Sequence, residues 1–248
     1  MQTKEQAIQD TEYDIPYHYI PVIEGNISIS YGWNFGLKYV TILRYLLKKL
    51  DSMDFNTLID VGCGDGRLLR EISNRFPEAS VRGVDYSERA IALAQALNPG
   101  LQYSCLDIAS GGKDVGTFDI VTLIEVYEHI KPDLCVDFVQ GLAALSQTGK
   151  RIIVSVPHIN TPLNKKHFRH FELDTLVHEF SQYYEVSNVE FLHKRNWLES
   201  LISTLMVNKF FYLSNKRMMK LLLRIYERFC IVADESNCSR MIVEFVRI

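Results

Sequence analysis

The sequence predicts an α/β fold around a mostly parallel sheet, and three observations carry that expectation. Apolar strand-like runs alternate with helical periodicity from residue 57 to residue 156. The run Leu58-Ile59-Asp60-Val61 breaks into Gly62-Cys63-Gly64-Asp65-Gly66, and helical spacing at Leu68, Leu69, Ile72 and Phe76 follows at once. Acids close successive strand-like runs at Asp60, Asp85 and Asp107. A chain of 248 residues suffices for one such core with decorations, so a single domain is expected.

The elements follow in order. Residues 1–12 are polar and read as a frayed end, and 13–21 pack Tyr13, Tyr17, His18 and Tyr19 around two prolines and read as irregular. Leu37, Val40, Ile42, Leu43, Leu46 and Leu47 recur at helical spacing, so 13–50 reads as a lid and a helix. Strands are expected near 57–61, 80–84, 101–106, 118–124 and 151–156, alternating with helices near 66–75, 88–97, 133–146 and 172–181. That alternation implies right-handed crossovers and a ligand crevice at the carboxyl ends of the strands. Ser87 suits the N-cap of the helix 88–97. Residues 185–193 and 241–246 read as the last two of seven strands, with a helical insertion at 196–237 before the final strand at 238–248.

Composition narrows the function. A net charge of −3 gives no global electrostatic footprint for nucleic acid, which favours a small or locally recognised substrate. The five cysteines, Cys63, Cys105, Cys135, Cys230 and Cys238, show neither a CxxC pair nor zinc spacing and suit free thiols in a reducing compartment. No secretory signal and no long uninterrupted apolar run is visible, which places the chain in the cytoplasm as an expectation.

The glycine run is a cofactor-binding turn. Its glycines let the backbone reverse without Cβ clashes, and the first-turn N–H groups of the following helix point back over the turn, where an anionic group is stabilised. The third glycine comes one residue earlier than in the dinucleotide fingerprint, which argues against nicotinamide chemistry. The string Asp60-Val61-Gly62-Cys63-Gly64-Asp65-Gly66 instead resembles the first motif of class I S-adenosylmethionine-dependent methyltransferases. Asp85 ends a second strand about 20 residues on, the distance of a ribose ligand, although a solvated turn would also place an Asp there.

The resemblance continues through Asp107-Ile108 after the third strand and Glu125-Val126-Tyr127-Glu128-His129 after the fourth, and covers residues 55–195. It implies a Rossmann-like sheet whose last strands are antiparallel, with helices on both faces. It also implies a cofactor site at Asp60, Gly62, Cys63, Gly64, Asp85, Tyr86, Asp107, Ile108 and Glu125. Tyr86 would lie against the adenine, Asp107 would pair with its amine, and Ile108 would pack on the ring. The aromatic lid would close over S-adenosylmethionine, leaving S-adenosylhomocysteine as product.

Methyl transfer to a hydroxyl gains from a general base. Glu128, His129, His158, His167 and His170 lie near the fourth and fifth strand ends, with His129 the first choice, although a His there could equally cap a helix. If the turn after Ile124 is helical, Glu125, Glu128 and His129 share a face and could converge on a divalent ion such as Mg²⁺ or Mn²⁺. Ubiquinone-pathway O-methyltransferases and small-RNA 3′-terminal 2′-O-methyltransferases have a similar Glu-x-x-Glu-His string, a metal site completed by a later His in the RNA enzymes. This chain shows no clear match to their downstream motif.

The segment Lys165–Phe171 resembles one found in methyltransferases of lipids, sugars and natural products, and its basic residues could hold an acidic acceptor group or simply anchor the next helix. The expectation is O-methylation of a small-molecule, saccharide or isoprenoid-linked acceptor. The alternatives are a metal-dependent RNA 2′-O-methyltransferase and a non-catalytic S-adenosylmethionine-binding regulator. The insertion, with Phe210-Phe211-Tyr212-Leu213 and an amphipathic basic helix at 216–229, is open to three readings: packing on its own domain, contact with a lipid-linked substrate or membrane surface, and a dimer interface. It is also the candidate cap over the acceptor.

Overall fold

The computed structural model describes residues 4–14, 16–19, 35–110, 115–206 and 215–248. Two helices precede the sheet: α1 (Lys4–Glu12) and α2 (Phe35–Leu50). The alternating core then runs β1 (Thr57–Val61), α3 (Arg67–Arg75), β2 (Ser80–Asp85), α4 (Glu88–Leu97), β3 (Gln102–Cys105) and β4 (Phe118–Ile124). It continues through α5 (Cys135–Ala144), β5 (Ser146–Pro157), α6 (Leu173–Phe180) and β6 (Tyr184–Leu192). The chain closes with α7 (Trp197–Met206), α8 (Lys216–Phe229), β7 (Val232–Ala233) and β8 (Arg240–Arg247).

The sheet order is β3-β2-β1-β4-β5-β8-β6-β7. The first five of these strands are parallel, and β8 slots between β5 and β6, antiparallel to both. The sheet has eight strands rather than the expected seven. The extra one, β7, spans two residues at the edge inside the segment read as purely helical, too short for an alternating pattern to register. β5 starts at Ser146, five residues before the expected strand, because its first five residues are polar or glycine, with Gln147–Gly149 exposed, and carry no apolar pattern.

Both faces are covered. On one, α2, α3 and α4 bury Leu43, Leu46, Leu69, Ile72 and Ala94 against Leu58, Ile120 and Ile153 of the sheet. On the other, α5 and α6 pack Phe138, Leu142, Leu176 and Phe180 against Val121, Val154 and Phe245. Each of the Leu, Ile, Val and Phe side chains contributes about 1.5–3 kcal/mol by leaving water. A third cluster, with Leu37 of α2, Ile202 and Met206 of α7, and Leu223 and Tyr226 of α8, seats the late insertion on the outer side of α2. Phe210–Leu213 of that insertion, like Ile20 and Pro21 of the aromatic lid, lie outside the described residues.

The expectation of a frayed start is corrected: Lys4–Glu12 is helical although it has no apolar stripe. Ion pairs and hydrogen bonds to distant residues hold it and the turn after it. Glu12 meets Lys166 at 2.8 Å, Asp10 accepts from the Ser87 hydroxyl, and Asp14 pairs with Arg89. The aromatic segment is also more regular than its prolines suggest, with a 3₁₀ turn at Tyr17–Tyr19.

Candidate active site

A cavity of about 790 Å³ opens at the carboxyl ends of β1, β2 and β4. Val61 and Gly62, where β1 enters the glycine turn, form part of its floor. Gly62 has φ +73°, and a Cβ there would lie 2.4 Å from Cγ2 of Val126, so the turn after β1 packs directly on the turn after β4. Gly64 has φ +55°, and a Cβ there would meet the Tyr13 hydroxyl at 2.7 Å. Only glycine fits under the aromatic segment at that point.

Asp85 closes β2 beside this turn, 5% exposed. Its Oδ2 accepts from the Gly64 N–H and its Oδ1 from the Ser87 N–H, both at 2.9 Å. Burial raises this carboxyl above its ordinary value despite the two donors. A carboxylate has about four acceptor positions, so lone pairs remain for hydroxyl groups in the cavity. Ser87 also caps α4, accepting from the Ala90 N–H at 3.2 Å. Tyr86, Asp107 and Ile108 line the same end, with Asp107 turned back to the Ala109 N–H at 3.0 Å, where it caps its own turn.

Asp60, Cys63 and Gly64 do not line the cavity. Asp60 lies beneath the turn, where it accepts from the Thr122 hydroxyl at 2.7 Å and burial pushes its carboxyl up to about 7. Cys63 packs into the apolar cluster on the α2 side of the sheet. Gly64 contributes through its N–H to Asp85.

The other end of the cavity is lined by Glu125, Glu128, His129, Lys166, His167 and Arg240. The chain leaves β4 through Glu125 with φ +57°, a left-handed conformation that costs a non-glycine residue about 1–2 kcal/mol. The kink presents Oε1 to the Ser155 hydroxyl at 2.6 Å and Oε2 to the Arg240 guanidinium. Burial alone would raise Glu125, but the charge and hydrogen bond of Arg240 outweigh it and hold the carboxyl below its ordinary value. The conditional convergence of Glu125, Glu128 and His129 does not occur: Tyr127–His129 is a 3₁₀ turn, and Glu125 is committed to Arg240 and Ser155.

Among the described residues, Glu128, His129 and His167 have ligand atoms that converge, all within 4.8 Å of one another. Both Glu128 carboxyl oxygens are buried and unpartnered, and burial, followed by the charge of Glu125, raises this group well above its ordinary value. Burial depresses His129 and His167 to about 3 each. Their tautomers follow from their partners. His129 Nδ1 lies 3.0 Å from the Lys166 carbonyl and must carry the proton, which leaves Nε2 bare. His170 Nδ1 lies 3.0 Å from the Thr161 carbonyl, so His170 Nε2 accepts from His167 Nδ1 at 2.8 Å and His167 Nε2 is also bare.

His158 is buried, with Nδ1 accepting from the Asn160 N–H at 3.2 Å and its ring against Phe191, and it does not line the cavity. No described residue of the 196–237 insertion lines it either. Sequence reasoning missed Arg240, which begins the last strand without any motif, and Asp65, whose side chain binds the His18 imidazole at 2.9 Å. An acid between Gly64 and Gly66 was the available signal for Asp65, and none existed for Arg240.

Residues 58–149 match the methyltransferase domain family. The fold around them is that of the class I S-adenosylmethionine-dependent methyltransferases. The N-methyltransferase NodS of Bradyrhizobium japonicum, solved with S-adenosylhomocysteine, superposes with a TM-score of 0.57 at 13% identity, over 86% of this chain and 87% of that one. A SAM-dependent methyltransferase of Archaeoglobus fulgidus gives 0.56 at 14% identity, over 85% and 94%. Among curated relatives, a ubiquinone biosynthesis O-methyltransferase of Coxiella burnetii is 34% identical over 124 residues, 48% of this chain and 50% of its own length. A protein of the same name from Vibrio parahaemolyticus is 29% identical over 123 residues, 48% and 51%. The chain thus spans about half the length of these curated relatives.

Proposed function

We propose that this chain transfers a methyl group from S-adenosylmethionine to an oxygen of a small-molecule acceptor. One observation carries the reading: a single cavity joins the glycine turn and Asp85 at one end to the polar cluster of Glu128, His129 and His167 at the other. Asp85 has acceptor positions left for ribose hydroxyls, and Gly62 lets a ligand approach the main chain. S-adenosylmethionine supplies an electrophilic sulfonium methyl, so the protein's task is alignment of the acceptor and exclusion of water. Burial keeps the two bare imidazole Nε2 atoms neutral, which makes them hydrogen-bond acceptors for a hydroxyl. The naming of the curated relatives as O-methyltransferases supports oxygen as the acceptor atom.

Calorimetric titration with S-adenosylhomocysteine tests the cofactor site. The parent chain should bind, and Asp85→Ala should weaken binding about 10- to 100-fold, because hydrogen bonds to a charged carboxylate contribute about 1.5–3 kcal/mol each. No binding by the parent, or unchanged affinity in Asp85→Ala, overturns the reading.

A second reading, in which transfer is metal-assisted, is favoured by the unpartnered Glu128 carboxyl. One carboxyl and two imidazoles with outer nitrogens tied to carbonyl or histidine partners form a donor set that fits a divalent cation. Such an ion would polarise the acceptor oxygen and favour loss of its proton. Mn²⁺ titrated into the protein and followed by electron paramagnetic resonance should bind at a single site, and Glu128→Gln should weaken it at least about tenfold. Equal Mn²⁺ binding by parent and variant, or turnover unaffected by EDTA, removes the metal and leaves the direct mechanism.

A further inference from the structure

Each of the two helices of the insertion has an exposed side that no other described residue covers. On α7, Trp197, Leu201 and Leu205 recur every fourth residue and stay exposed, Trp197 by 76%. On α8, Met218, Leu221 and Phe229 are exposed at helical spacing, Phe229 by 55%. The cations Arg217, Lys220, Arg224 and Arg228 are exposed beside this second stripe. Among the described residues, none of the four has a carboxylate within 4.0 Å. The two acids on these helices are turned the other way: Glu199 meets Lys38 at 3.4 Å and Glu227 meets Arg44 at 2.6 Å, both on α2. The outward sides of these helices therefore combine large apolar side chains with positive charge and, among the described residues, no compensating acid.

We propose that the outer face of α7 and α8 docks this protein on an anionic lipid bilayer. Exposed Trp, Phe and Leu gain free energy at the headgroup boundary, and each nearby Lys or Arg is attracted by anionic lipid. A second copy of the chain fits poorly, because a two-fold contact on this face sets four cations against four. Nucleic acid would satisfy the cations and leave the apolar stripe in water. A bilayer accommodates both, and a lone amphipathic helix lying on the domain it belongs to would not expose its largest side chains. The proposal is independent of the methyl-transfer reading.

Vesicle co-sedimentation tests it, with phosphatidylcholine alone and with phosphatidylcholine doped with phosphatidylglycerol. The parent should bind the anionic vesicles, with affinity falling as salt is raised, and should bind neutral vesicles far more weakly. Neutralising all four cations to Gln should cost at least about a hundredfold, at roughly fivefold per cation. Trp197→Ser should weaken binding while keeping the salt dependence. With Trp33→Phe as background, Trp197 emission should shift to the blue on anionic vesicles. Titration with S-adenosylhomocysteine on the same variants should be unchanged, which separates failure of this surface from failure of the cofactor site. The salt dependence of the parent needs no variant and stands if one misfolds. Absence of binding to anionic vesicles overturns the proposal, as does equal binding to neutral ones. A dimer that Trp197→Ser dissociates overturns it, and so does a single-stranded RNA oligonucleotide that binds through the four cations and excludes vesicles.

Discussion

Glu128, His129 and His167 are all driven to neutrality by the same burial, although that means opposite shifts for a carboxyl and an imidazole. An unfolded imidazole titrates near about 6.5. With folded values of about 3, the unfolded chain binds the extra protons between those limits. The contribution of each His is complete above pH ~6.5 and is lost as pH falls toward its folded value. Glu128 has the reverse sign: its folded value is raised, so its contribution is present below about pH 4.3 and is lost as pH rises through the folded value. In urea melts, His129→Gln should therefore gain on the parent as pH falls from about 7 to about 5, at no more than about 1.4 kcal/mol per pH unit. Glu128→Gln should gain on the parent as pH rises over the same range. Parallel profiles for parent and variants would contradict the shared burial of these groups.

The N-terminal helix and the turn after it form an element that no periodicity announces. α1 has no apolar stripe, and its position is set by pairs with residues far along the chain, Ser87 and Lys166 among them. The 3₁₀ turn is held more firmly. Asp65, fully buried in the glycine run, accepts from the His18 N–H at 3.2 Å and pairs with its ring, and Arg67 donates to the His18 carbonyl at 3.0 Å. This strap lies over the cavity through Tyr13, Tyr17 and His18. Asp65→Ala should speed hydrogen exchange in residues 4–19 and weaken S-adenosylhomocysteine binding about tenfold, since a hydrogen-bonded charge is worth about 1.5–3 kcal/mol. Unchanged exchange across that segment would show that the strap does not depend on the Asp65 anchor.

Across the whole molecule, the alternation of apolar runs and helical spacing was enough to read β1 to β4 and their helices to within two residues, because each element buries one face in a core and must carry the matching period. The cofactor end of the cavity was legible for a related reason: Gly62 and Asp85 sit at strand ends, where local turn geometry ties position to sequence. The acceptor end was not. Glu125 lies three residues from Glu128 in sequence yet is withdrawn from it by Arg240, which arrives 115 residues after Glu125 on a strand inserted between β5 and β6. His167 joins the cluster, and His158 stays buried beside Phe191, through loop paths that follow no period. By itself the sequence determined strands β1 to β4, the glycine turn and the acids beside it, since those depend on short-range pattern. Only the tertiary structure decided which side chains meet around the acceptor and which face of the insertion is left to solvent, because both depend on strand order and on contacts between residues far apart in the chain.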